Sequence, residues 1–142
     1  MITSSDHPLQ TFWVLWSVKE SAYKAWQRHS GSKPVFNPLA FNIIHFQVCD
    51  KGLRSSVKLR DFSVDVKTKI TSEYIYSYCD VPSIANEIVP FDDRCRILEK
   101  LEERQWILCK SASNIPELQH TKSKEKKQIS FSHDGRFTAY YY

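Results

Sequence analysis

The sequence predicts an α+β domain, with two helices beside four or five mainly antiparallel strands, and three observations predict it. Residues Asp6 to Arg28 keep a helical period that Gly31 and Pro34 then stop. Phe62 to Ile70 alternates apolar and polar side chains at the period of a half-buried strand. A chain of 142 residues that is 42% hydrophobic, with three glycines and six prolines, can close a core and is no low-complexity polymer.

The first helix is the best marked element. Asp6 or Ser5 can cap it, and Pro8 is tolerated in the first turn, where its missing N–H is not needed. Phe12, Leu15, Val18, Ala22, Tyr23, Ala25 and Trp26 fall on one broad side. Phe41 to Cys49 reads as a strand closed by Asp50-Lys51-Gly52, and Ser55 to Leu59 as a second. Phe62 to Ile70 and Glu73 to Cys79 follow, with phase breaks near Arg60-Asp61 and Thr71-Ser72. Pro82 to Pro90 reads as a connection. Asp92 or Asp93 caps a shorter helix to Arg104, with Phe91, Cys95, Leu98 and Leu101 inward. Trp106 to Lys110 is a short strand, Ser113 to Pro116 a turn, and the lysine-rich Thr121 to Lys127 a solvated loop. Gln128 to Ser132 and Phe137 to Tyr142 flank a hairpin turn at His133-Asp134-Gly135-Arg136.

A net charge of +4 suits a phosphorylated or acidic partner as readily as nucleic acid. No apolar run approaches the roughly 18 residues of a membrane span, and no apolar signal segment with a basic flank opens the chain. Cys49, Cys79, Cys95 and Cys109 form no CxxC pair, so buried free thiols in a reducing cytoplasm are expected. Tyr74, Tyr76 and Tyr78 form a stripe with no basic residue between them, which packing explains better than nucleic-acid binding.

Two segments could carry chemistry. Lys19 falls inside the apolar sector of the first helix, where an ammonium must snorkel or reach a buried anion. Glu20 and Lys24 stand one turn apart on the polar border, as an ordinary ion pair or as a carboxylate for a metal beside an ammonium for phosphate oxygens. In Ile129-Ser130-Phe131-Ser132-His133-Asp134, a hydroxyl and an imidazole at a strand end can hold a phosphate from two sides. A hydrolase triad there is a poor fit, because adjacent strand side chains point to opposite faces and no GxSxG elbow occurs.

Trp16-Ser17-Val18-Lys19-Glu20-Ser21-Ala22-Tyr23-Lys24-Ala25 together with Ile129 to Tyr140 resembles the 4'-phosphopantetheinyl transferase superfamily, the small holo-acyl-carrier-protein synthase type being the nearer relative. Pro34-Val35-Phe36-Asn37-Pro38 and Asn114-Ile115-Pro116 are similar to weaker motifs of the same family. The resemblance implies Mg²⁺-dependent transfer of the phosphopantetheine arm of coenzyme A to a serine of an acyl or peptidyl carrier protein, releasing adenosine 3',5'-bisphosphate. By the same resemblance Glu20 is the metal-binding glutamate and Lys24 the lysine near the reacting phosphate. Lys19, Lys24, Ser132 and His133 would hold coenzyme A, with Glu20 and Lys24 catalytic. Fatty-acid biosynthesis, a cytoplasmic setting, a possible homo-oligomer and no nucleic-acid or membrane partner complete the expectation. The family also opens with a strand bearing a GxD-type aspartate, whereas residues 1–142 start almost at the helix. The expected organisation is therefore one domain over 1–142, incomplete at its N-terminus. Two other readings stay open: a catalytically impaired member that binds coenzyme A or a carrier protein, and a homo-oligomeric structural module.

Overall fold

The computed structural model describes residues 7–31, 35–50, 52–79, 86–90, 94–134 and 137–141, and the side chains of all of these but 86–90, 94, 133–134 and 141. Among them are two α-helices and ten strands, all paired antiparallel. That is an α+β chain. It falls into two compact units, 1–81 and 82–142.

The first unit is a helix on a meander. Helix α1 spans Pro8–Ser30, starting two residues later than predicted and running two further; its N-cap is His7, whose side chain makes no capping hydrogen bond to the helix. Asp6 and Ser5 lie outside the described residues. Gly31 ends the helix in the left-handed region at φ +64°, its N–H donating to the Gln27 carbonyl at 2.9 Å. Strands β1 (Asn42–Cys49), β2 (Gly52–Leu59), β3 (Phe62–Ile70) and β4 (Ile75–Cys79) then pair in chain order. One face of this sheet supplies Val57, Val66 and Cys79, which close a core with Val14, Val18, Ala22 and Tyr23 of α1. Burial on β2 and β3 alternates because successive strand side chains change face.

The helix face differs in detail from the predicted one. Val14 is buried, whereas Phe12, placed inward by the wheel, is exposed together with Leu9, Trp13 and Trp16. The aromatic side of α1 is instead engaged from the chain that returns along it. Phe36 meets Trp16 edge-on at 5.3 Å and Tyr23 at 5.0 Å, and Phe41 packs on Tyr23 and Trp26. Tyr76 and Tyr78 of β4 stack on each other at 5.6 Å.

The second unit holds two three-stranded sheets and helix α2 (Arg94–Glu103). Strand β5 (Asn86–Pro90) pairs with β10 (Phe137–Tyr141), which also pairs with β9 (Ser130–Asp134). Strand β6 (Trp106–Lys110) pairs with β7 (Pro116–His120), and β7 with β8 (Lys126–Gln128). Three expectations are corrected here. Part of Pro82 to Pro90 is a strand, since β10 offers it a ladder that no local pattern announces. The lysine-rich segment ends in β8, with Lys126 ion-paired to Glu117 at 3.2 Å and Lys127 over the Trp106 ring at 4.6 Å. Cys95 is exposed, and Ile97 takes the inward place with Leu98 and Leu101. Phe91, Asp92, Asp93 and, of the predicted turn, Gly135 and Arg136 lie outside the described residues.

Ile97, Leu101, Leu118, Ile129 and Tyr140 form the core of this unit, and Leu118 is 1% exposed. Leu118→Ala should cost about 3 kcal/mol, lost burial and the residual cavity together. Chemical denaturation followed by circular dichroism checks it; a loss near zero would mean that the site collapses around the smaller side chain.

Candidate functional site

Each predicted residue of the first motif lies on α1, and the helical repeat decides what it meets. Glu20 and Lys24 form an ion pair, Nζ to Oε1 at 3.0 Å, with the lysine side chain 26% exposed and the glutamate 39%. Such a pair at the border of a helix is worth only a few tenths of a kcal/mol, so stability does not require it. Arg28, one turn on, donates from Nη1 to the Lys24 carbonyl at 2.9 Å and closes this side of the helix.

Lys19 finds its acceptor in the backbone. Its Nζ donates to the Pro38 carbonyl at 2.9 Å. Pro38 opens a single turn of 3-10 helix, Pro38–Ala40, which Asn37 caps by accepting from the Leu39 N–H at 3.1 Å. The segment Phe36-Asn37-Pro38 is thereby tied to the Lys19-Glu20 helix twice, through the Phe36 ring and through Lys19. An ammonium carries three donors, so this bond leaves Lys19 able to meet an anion as well. Sequence reasoning missed the Pro38 carbonyl, as it had to, because a backbone acceptor has no side-chain signature.

Beneath the pair, Ser21 faces the sheet. Its hydroxyl lies 3.5 Å from Cys79 Sγ, and the thiol donates to the Ser21 carbonyl at 3.4 Å. Burial pushes the Cys79 thiol above its ordinary range, partly offset by the Ser21 hydrogen bond and the Arg28 charge. It stays a protonated, packed group and not a nucleophile.

Ser132 and His133 are consecutive on β9, where the register sets Ser132 against Ala139 and His133 against Thr138 of β10. Ser132 is half-buried, and the His133 side chain lies outside the description. The Thr138 hydroxyl is buried, with no hydrogen-bond partner among the described residues. The structure therefore brings Glu20 and Lys24 together in the first unit, while Ser132 and His133 occupy consecutive positions of β9 in the second, where successive residues alternate between faces.

Among the described residues no three His, Cys, Asp or Glu side chains gather as a metal cage. Asp65 pairs in register with Ser56, away from the buried side chains Val57 and Val66 against which α1 packs, so it is no second ligand beside Glu20. What Glu20 offers is one carboxylate, partly open to water. That suits a hard, largely hydrated cation that draws its other ligands from substrate oxygens.

A sequence profile of the 4'-phosphopantetheinyl transferase superfamily matches residues 1–79, more than half of the chain, covering α1 and the four-stranded sheet. The chain belongs to that superfamily. No curated protein and no solved structure matches it.

Proposed function

We propose that this protein takes part in transfer of the 4'-phosphopantetheine arm of coenzyme A to a serine of an acyl or peptidyl carrier protein. The observation that carries the proposal is the Glu20–Lys24 pair, a carboxylate and an ammonium 3.0 Å apart on a helix within the matched residues. Phosphoryl transfer asks little covalent chemistry of a protein and much positioning of charge. Glu20 would hold Mg²⁺, which when bound neutralises pyrophosphate oxygens as the P–O bond breaks. Lys24, beside Glu20, would offer its ammonium to the phosphate oxygens, stabilise their developing charge and assist loss of the acceptor serine's proton. Lys19 fixes the Phe36–Ala40 segment through the Pro38 carbonyl and presents its remaining donors to phosphate. By the family resemblance Ser132 and His133 of the second unit are each assigned to coenzyme A phosphates; as consecutive positions of β9 they fall on alternate faces of the strand, and Thr138 is the hydroxyl in register with His133.

The chain is tested as it stands, with coenzyme A, Mg²⁺ and a panel of apo carrier proteins, by reading each carrier's intact mass. A gain of one phosphopantetheine arm that chelator abolishes is the expected result. No gain, where an established transferase converts the same carriers, would overturn turnover by this chain. Coenzyme A binding would then decide between a non-catalytic binder and a structural module. His133→Ala should weaken coenzyme A binding about tenfold, the worth of one charge-assisted hydrogen bond. Unchanged affinity by calorimetry would remove His133 from the phosphate site.

A further inference from the structure

On the four-stranded sheet the face turned away from α1 carries charge that the transfer reading does not use. Residues directly opposite in an antiparallel register share a face. Across β1, β2 and β3 this sets Gln47 beside Arg54 and Arg54 beside Lys67, with His45, Ser56 and Asp65 in the next rank. Together these side chains line a shallow pocket of about 180 Å³. Arg54 and Lys67 set two cations directly opposite one another in the register. Arg54 is exposed, and among the described residues its guanidinium has no hydrogen-bond or ion-pair partner. Asp65 accepts from the Ser56 hydroxyl through Oδ1 at 2.6 Å. Its second oxygen remains as an acceptor. Lys58 and Lys69 stand on the same face beyond the pocket and add to its positive field.

We infer that this pocket binds a phosphate monoester carrying a hydroxyl close to its phosphate. The Arg54 fork takes two phosphate oxygens, Lys67 supplies a second charge, and His45 and Gln47 offer donors from the edge strand. Asp65 repels a bare anion but accepts from a hydroxyl, so a phosphorylated sugar is favoured over inorganic phosphate. The volume lies well below the ~300 Å³ at which sites for drug-sized ligands begin, so the pocket takes a head group and not a polymer.

Calorimetry on the full chain tests this with inorganic phosphate, ribose, ribose 5-phosphate and adenosine 5'-monophosphate. Ribose 5-phosphate should bind several-fold more tightly than phosphate, and ribose not at all. Arg54→Gln should weaken ribose 5-phosphate at least tenfold, and Asp65→Asn should bring it to parity with phosphate. Both residues are exposed, and unchanged thermal unfolding confirms that the variants fold. Tighter binding of the adenosine compound would assign the ligand to nucleotides; equal binding would assign it to sugar phosphates. Failure of both phosphorylated probes to bind overturns the inference, as does affinity that survives Arg54→Gln. Lys24→Ala should leave this binding unchanged, which separates the site from the coenzyme A reading; loss of binding in that variant would also overturn it.

Discussion

Lys24→Ala is expected to slow phosphopantetheine transfer about 10²–10³-fold, while coenzyme A affinity falls by less than about tenfold. The inequality follows from where the charge lies. Before reaction the pyrophosphate would meet other proposed contacts as well, Lys19 among them, so one ammonium is a modest part of binding. During bond cleavage charge accumulates on oxygens that an ammonium held on α1 meets without reorganising. Alanine is the best helix former, and the ion pair it removes is partly open to water, so the fold should not register the change. Glu20→Gln should remove the metal dependence and leave a similarly slow enzyme. The double variant should lose little more than either single one, because the two side chains act on one charge distribution. Single-turnover transfer read by carrier mass, with coenzyme A affinity by calorimetry, decides it. Wild-type turnover in either variant would remove that residue from the chemistry, and additive losses would mean that they act independently.

Local signals carried the first unit a long way. Gly31 stops α1 because a left-handed residue is needed there, and alternation from Phe62 to Ile70 reports a strand with one buried face. Periodicity finds apolar stripes, but it does not say which one a sheet will use. Val14, Val18 and Ala22 went against the sheet, while Leu9, Phe12, Trp13 and Trp16 form a second stripe that remains exposed. The second unit was less legible because its pairing is less local. Asn86–Pro90 has its partner at Phe137–Tyr141, and Lys126–Gln128 is a polar strand held by its neighbour Glu117–Gln119. The candidate site divides in the same way. Spacing places Glu20 one turn from Lys24, whereas the acceptor for Lys19 is a carbonyl reached only after the chain has turned back along its own helix.

Gly52→Ala is expected to destabilise the first unit by about 4 kcal/mol, beyond what an ordinary backbone preference costs. At φ +136° a side chain is already strained, and its Cβ would lie 2.0 Å from the Thr68 carbonyl oxygen and 3.1 Å from its carbon. These are backbone atoms of β3, the next strand, so no rotamer change relieves the clash. Either β2 lifts from β3 or the hairpin after Cys49 opens. Both loosen the strands that carry Val57 and Val66 into the core beneath α1. Gly31 is the control. It is also left-handed, at φ +64°, but a Cβ there meets nothing within 4 Å, so Gly31→Ala should cost only about 1–2 kcal/mol of conformational strain. Urea midpoints of the two variants separate steric from conformational cost, and equal losses would show that the strands shift freely. Because α1 rests on this sheet, the Gly52 variant should lose transfer activity in proportion to its unfolded fraction. Activity per folded molecule should hold, unlike Lys24→Ala, where the fold persists and the chemistry does not.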